Sequence, residues 1–107
     1  MHATITTTLS ALAETNRLHI VELLREGPLT VGEITDRLGL LQPQTSKHLK
    51  VLSEAGLVEV KASANKRIYQ LKQQPFQDLD EWLGSFHRVW QERFNRLDEY
   101  LQKQQKK

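Results

Sequence analysis

Cysteine is absent from this chain of 107 residues, and proline and glycine are scarce, at three and five residues. Without cysteine the chain has no disulfide, no thiolate metal site and no thiol redox chemistry, which fits a reducing cytoplasm. No apolar run approaches the ~20 residues that a membrane span needs. The first residues also lack the basic-then-apolar order of a signal peptide. The sequence therefore predicts a cytoplasmic protein with no membrane partner.

Net charge is small, at +2, but its distribution is uneven. Residues 42–72 carry six Lys/Arg against two Asp/Glu, whereas residues 1–41 carry three against five and residues 73–107 carry six of each. Positive charge in the middle third favours a polyanionic partner. A solvated surface has the same composition, so the local structure must decide between the two interpretations.

Catalytic motifs are missing as well. The four histidines are scattered along the chain, no glycine-rich phosphate loop is present, and no serine stands in a nucleophile motif. We therefore expect no catalytic residues, no cofactor and no enzymatic activity.

Apolar spacing predicts helices throughout most of the chain. Two short helices are expected near residues 8–13 and 16–25. A long helix is expected after Gln73-Gln74-Pro75, to about Lys103. Residues 1–107 are interpreted as a single domain, because a chain of this length has room for one modest core.

The segment 30–56 has the layout of a helix-turn-helix unit. Thr30 and Glu33 form a Thr-x-x-Glu capping box that opens a short helix, which Gly39 ends. A tight turn follows, and a second helix is expected over residues 42–55 with Pro43 in its first turn. Two short helices joined by a glycine-containing turn are typical of this motif.

Two short strands are predicted directly after that unit, over residues 57–61 and 67–72, with a hairpin loop at residues 62–66. A hairpin in this place, residues 57–72, is a wing. The predicted fold is therefore mainly α with a small β-hairpin, that is, a winged helix-turn-helix.

One face of the second helix, with Thr45, Leu49 and Leu52, is predicted to be buried. The opposite face and its flanks carry side chains suited to the major groove, where glutamine pairs with adenine and lysine with guanine or phosphate. His48 falls near the buried edge, where packing or a phosphate contact is favoured over a base contact. The candidate DNA-binding residues are Gln42, Gln44, Ser46, Lys47, His48 and Lys50 in the helix, and Asn65, Lys66 and Arg67 in the wing.

The run from Gln42 to Leu52, the following Ala55-Gly56-Leu57-Val58 and the stretch from Lys66 to Leu71 resemble the ArsR-type (ArsR/SmtB-like) winged-helix repressors. The resemblance implies a homodimer in which the first and last helices pair. It also implies that the helix over residues 42–55 enters the major groove of an inverted-repeat operator, and that an unknown effector releases the DNA. Leu41 departs from the usual serine cap, and Ala64-Asn65 stands where glycine is common.

An apolar stripe on the last helix is longer than one small domain can cover, so it predicts a dimer interface. The dimerisation helices are expected over residues 5–13 and 75–103. The candidate interface residues are Ile5, Leu9, Leu12, Leu83, Phe86, Trp90, Phe94, Leu97 and Leu101. Aromatic members of the stripe could instead line a ligand pocket.

Two alternatives remain open. A metal-responsive repressor would need a site on the last helix, but only His87 is available there beside carboxylates, and zinc prefers four ligands. We therefore expect no metal site. A winged-helix module that binds proteins without DNA is the other alternative, and Lys47 and Lys50 argue against it.

Overall fold

The computed structural model describes residues 2–105, with side chains from Thr4 onward. Within that range the elements are α1 (His2–Leu12), α2 (Thr15–Leu24), β1 (Leu29–Thr30), α3 (Val31–Leu38), α4 (Gln42–Glu54), β2 (Val58–Ser63), β3 (Lys66–Leu71) and α5 (Gln73–Gln105). The strands form one antiparallel sheet in the order β1-β3-β2. The predicted fold class is confirmed.

The hydrophobic core lies between α2, α3, α4 and the base of the hairpin. Ile20, Ile34, Leu49 and Leu57 have no exposed surface, so each of these elements contributes at least one fully buried side chain. Burying an aliphatic side chain of this size stabilises the fold by about 1.5–3 kcal/mol. The core therefore fixes α4 from one side and leaves its other side free.

The helix-turn-helix unit consists of α3 and α4. Thr30 and Glu33 form the predicted capping box, and Gly39 ends α3 with a φ of 65°, a conformation that glycine adopts without a steric penalty. The hydroxyl oxygens of Thr35 and Thr45 lie 2.9 Å apart across the two helices. Thr45 is completely buried, so this hydrogen bond joins the helices inside the core.

The hairpin differs from its prediction. Ser63 pairs with Lys66, so the expected five-residue loop is a two-residue turn of Ala64 and Asn65. The reason is that Ala64 adopts a positive φ of 54°, which allows the chain to reverse within two residues. The strand β2 is one residue longer than expected, and β3 has the expected length but begins and ends one residue earlier. The strand β1 was not predicted, because two residues carry no periodic signal.

The last helix is the longest element, with 33 residues. Its first half packs against α1 of the same chain, and none of its residues is buried. All residues from Phe86 to Gln105 are exposed. No helix within residues 2–105 is long and apolar enough to cross a membrane.

Candidate nucleic-acid interface

The helix α4 presents one buried and one exposed side, as its spacing predicts. Thr45, Leu49 and Leu52 are completely buried in the core. The side chains on the other side are exposed, and we call them the reading face: Gln42, Gln44, Ser46, Lys47 and Lys50. Because the buried residues fix the rotation of the helix, the reading face is oriented outward by the core itself.

The first turn of α4 has an unusual cap. Leu41 occupies the N-cap position, and its side chain offers no hydrogen-bond acceptor. The Oε1 atom of Gln44 instead accepts a hydrogen bond of 3.0 Å from the backbone N–H of Leu41. This bond is the glutamine half of a capping box. Gln44 therefore helps to hold the start of the helix as well as lying on the reading face.

His48 faces inward more than the other predicted DNA-binding residues of α4. Its side chain is 20% exposed, and its Nδ1 atom lies 3.6 Å from Oε2 of Glu14. The same Glu14 oxygen accepts a hydrogen bond of 2.9 Å from the backbone N–H of Arg17, which caps α2. This arrangement favours the packing role over a base contact. Glu14 was missed in the sequence, because no local pattern relates residues so far apart.

The wing lies beside the reading face. A groove between α4 and the sheet is lined by Gln42, Ser46 and Lys50 from the helix and by Arg67 and Tyr69 from β3. Thus the structure brings Arg67 to the same surface as the reading face. Asn65 and Lys66 are exposed at the tip of the hairpin.

The cations of this surface are not neutralised by neighbouring carboxylates. Among residues 2–105, the ion pairs within 4.0 Å leave out Lys47, Lys50, Lys66 and Arg67. The pKa of Glu33 is lowered mainly by the hydrogen bond from the Thr30 backbone, and Lys66 makes the smallest contribution to this shift. Exposed cations without partners suit an external polyanion.

The predicted dimer-interface residues fall into two groups. The members on α5, which we call the α5 stripe, are 48–60% exposed: Leu83, Phe86, Trp90, Phe94, Leu97 and Leu101. On α1, Leu9 is 41% exposed, but Ile5 is buried, and Leu12 is partly buried against the core. Ile5 and Leu12 pack within their own chain, because α1 lies against α2 and α5. Their place in a dimer interface stays a prediction.

Metal ligands do not gather in the part of the chain that the structure describes: no group of three or more His, Asp or Glu side chains there is arranged to hold an ion. His87 is exposed on α5.

The aromatic pair Trp82 and Phe86 packs edge to face, with ring centroids 5.0 Å apart. A pocket between α1 and α5 includes Trp82, but the exposed aromatic residues further along the helix do not line it.

The geometry defines the class of protein: a three-stranded sheet, a helix-turn-helix with a free polar face and an adjacent wing make a winged helix-turn-helix. Comparison with known proteins agrees. The family described as bacterial regulatory protein, arsR family, matches residues 14–60. The HTH-type transcriptional regulator Rv2034 of Mycobacterium tuberculosis is 48% identical over 61 residues, which are 57% of each chain.

Solved structures extend the match beyond that segment. HlyU from Vibrio cholerae is 34% identical, with a TM-score of 0.69 over 83% of this chain and 94% of its own. The homodimeric winged helix-turn-helix DNA-binding domain of Mb0332 from Mycobacterium bovis is 25% identical, with a TM-score of 0.66 over 79% and 82%. The chain belongs to the arsR family of bacterial regulatory proteins, as the sequence predicts, and this family is one of regulators and not of enzymes.

The matched segments span 47–58% of the length of the first curated relatives.

Proposed function

We propose that this protein is a homodimeric transcriptional repressor that binds an inverted-repeat operator in duplex DNA. The observation that carries the proposal is the reading face of α4. Its opposite side is locked in the core, so the polar face is solvent-exposed without a structural role for most of its side chains. A rigid helix with this face fits the major groove of B-DNA.

The roles of the side chains follow from their chemistry. Gln44 and Ser46 offer hydrogen-bond donors and acceptors to base edges, while Lys47 and Lys50 suit guanine or phosphate. In the wing, Lys66 and Arg67 suit phosphates or the adjacent minor groove, contacts that position a protein more than they specify a sequence. The groove shared by Lys50 and Arg67 supports simultaneous contact by both elements.

The α5 stripe supports the homodimer, because a series of half-exposed aromatic and aliphatic side chains along one helix normally marks an interface. A two-fold dimer matches an operator with two half-sites, about 34–36 Å apart for one turn of DNA. In this proposal the protein acts in the cytoplasm, where it meets the operator DNA.

Release by a small-molecule effector and repression of its own operon complete the proposal. A cleft of about 520 Å³ lies between α2, the end of β3 and the start of α5, and Val21, Leu71 and Phe76 give it apolar walls. Its volume suits a small ligand. The cleft also adjoins the junction between β3 and α5, so a ligand there would affect how the two reading faces are spaced.

Selection of bound sequences from a random duplex library tests the function directly. We expect enrichment of an inverted repeat that also occurs upstream of the gene for this protein. On the selected duplex, log K should fall by about 0.9 per phosphate neutralised for each unit of log salt.

Matched variants locate the interface. Lys50→Ala should reduce the salt slope by about two in a dimer, one for each subunit. Lys103→Ala, on the far end of α5, should leave it unchanged. Enrichment of no sequence, or binding that ignores salt, would contradict the proposal and favour a protein-interaction module.

A further inference from the structure

Leu41 is placed where neither the core nor the helix benefits from it. It is 70% exposed, the largest fraction for any large apolar side chain in the described part of the chain. Unlike the exposed residues of the α5 stripe, it stands alone in the turn between α3 and α4. An isolated exposed leucine is common on proteins. Its position at a helix start, however, is unusual.

The N-cap position strongly prefers a side chain that accepts a hydrogen bond, and leucine is among the least favourable choices. The same protein shows the contrast, because Thr30 at the N-cap of α3 accepts a hydrogen bond of 3.2 Å from the backbone of Glu33. At Leu41 the side chain makes no such bond. Leu41 therefore lacks the stabilising hydrogen bond of a cap and is not buried in the core. A stabilising contact of this side chain has to be made with a partner outside the chain.

The neighbours of Leu41 indicate what that contact is. The hydrogen bond from its backbone to Oε1 of Gln44 holds the carboxamide close to it, and the Nε2 donors of Gln44 have no partner among the described residues. An apolar group next to a donor complements thymine, which presents a 5-methyl group and the O4 acceptor in the major groove. The first residues of a recognition helix are also those that approach base edges.

We propose that Leu41 contacts the 5-methyl group of a thymine in each half-site, and that Nε2 of Gln44 donates a hydrogen bond to O4 of the same thymine. This inference rests on the proposed DNA-binding function and deepens it, because it makes an apolar contact part of sequence recognition.

Replacement of thymine by deoxyuridine tests the contact, since it removes the methyl group alone. Each thymine of one half-site in the selected duplex is replaced in turn, and affinity is measured by fluorescence anisotropy. We expect one position at which the wild-type protein binds about fourfold more weakly, the value of one methyl group removed from water. Leu41→Ala should bind the thymine and deoxyuridine duplexes equally.

Two further variants separate recognition from folding. Leu41→Ser introduces a cap, so it should unfold at higher denaturant concentration and still fail to distinguish thymine from deoxyuridine. Leu18→Ala removes a 42% exposed leucine from α2 and should keep the fourfold difference.

Wild-type protein that binds its duplex but ignores deoxyuridine at every position would overturn the inference and leave the proposed function intact. A fourfold effect that persists in Leu41→Ala would overturn it as well, by assigning the methyl contact to another residue. Failure to select any sequence would remove both proposals together.

Discussion

Gln44 shows why single residues of the reading face need paired substitutions. Its Oε1 atom caps α4 through the backbone N–H of Leu41, while its side chain also lies on the surface proposed to contact DNA. Truncation to alanine removes both functions at once. A loss of DNA binding in that variant would therefore not distinguish a missing base contact from a frayed helix start.

Substitution of Gln44 by glutamate separates these functions. Glutamate still accepts from the backbone N–H of Leu41 and suits a helix N-terminus, so urea unfolding should be unchanged within about 0.5 kcal/mol. Its negative charge should reduce DNA affinity at least tenfold. Gln44→Ala should lose about 1 kcal/mol of stability. Gln77→Glu, an exposed change of the same charge on α5, serves as the control and should leave both properties nearly unchanged.

Glu33 provides a pH-dependent contribution to stability. Its pKa is lowered from 4.5, chiefly because its carboxylate accepts a hydrogen bond from the Thr30 backbone. A lowered folded-state pKa means that the ionised group stabilises the fold above pH 4.5 and that this stability is lost as the pH falls through the lowered value. Glu33→Gln keeps an acceptor but no charge. Urea unfolding should show wild type more stable at pH 7, and the two proteins should converge as the pH falls below 4.5 through the lowered pKa of Glu33. A constant difference would contradict this assignment.

The sequence predicted single-residue burial well where it depends on helix geometry alone. Thr45, Leu49 and Leu52 share one face because of the 3.6-residue period, and all three are buried. The contact between His48 and Glu14 could not be predicted, since it depends on how α2 packs against α4. The capping role of Gln44 was missed for a different reason: Leu41 is not a capping residue, so the glutamine half of the motif was not sought.

Among the elements, the wing is where sequence reasoning was least accurate. The segment from Ala62 to Lys66 has polar and small residues, which are typical of a loop, yet Ala62 and Ser63 pair with the opposite strand. The turn also depends on a strained residue. Asparagine tolerates a positive φ better than alanine does, yet in this turn the positive φ belongs to Ala64 and not to Asn65.

Relief of that strain can be measured. A non-glycine residue in the left-handed region costs roughly 1–2 kcal/mol. Replacement by glycine recovers only part of this cost, because glycine has a larger conformational entropy in the unfolded state. Ala64→Gly should therefore stabilise the protein by about 0.5–1 kcal/mol in urea unfolding. Ala62→Gly, within β2, should destabilise it by a similar amount because the strand gains no relief. Equal effects of the two substitutions would show that the turn carries no strain.

At the scale of the whole molecule, a single chain is much more elongated than a compact domain of the same length. Its radius of gyration is 20.1 Å and its largest dimension is 74 Å. A compact domain of this length has a radius of gyration of about 13 Å. The difference arises from α5, whose 33 residues extend about 50 Å at 1.5 Å per residue. Its second half is exposed on all sides, although the α5 stripe is apolar.

Charge placed within the α5 stripe should therefore separate the subunits. Trp90→Asp combined with Leu97→Asp puts two carboxylates at the centre of the proposed interface, where they would be desolvated without a partner. Sedimentation should show a monomer, and affinity for the selected inverted repeat should fall by at least a hundredfold, because each half-site is then bound alone. The helix-turn-helix unit and the wing should stay folded by circular dichroism, since neither Trp90 nor Leu97 belongs to the core cluster or packs against it.

The matched control adds the same charge to the opposite side of the helix. Asn95 and Gln102 are exposed there, away from the stripe, so changing both to aspartate should preserve the dimer and operator binding. If the Trp90 and Leu97 variant remained dimeric, the interface would lie elsewhere and the long helix would need another explanation. If it became monomeric yet bound the operator with full affinity, dimerisation would not set the spacing of the reading faces. Only the joint loss of dimer and operator binding, with the control intact, ties the exposed stripe to DNA recognition.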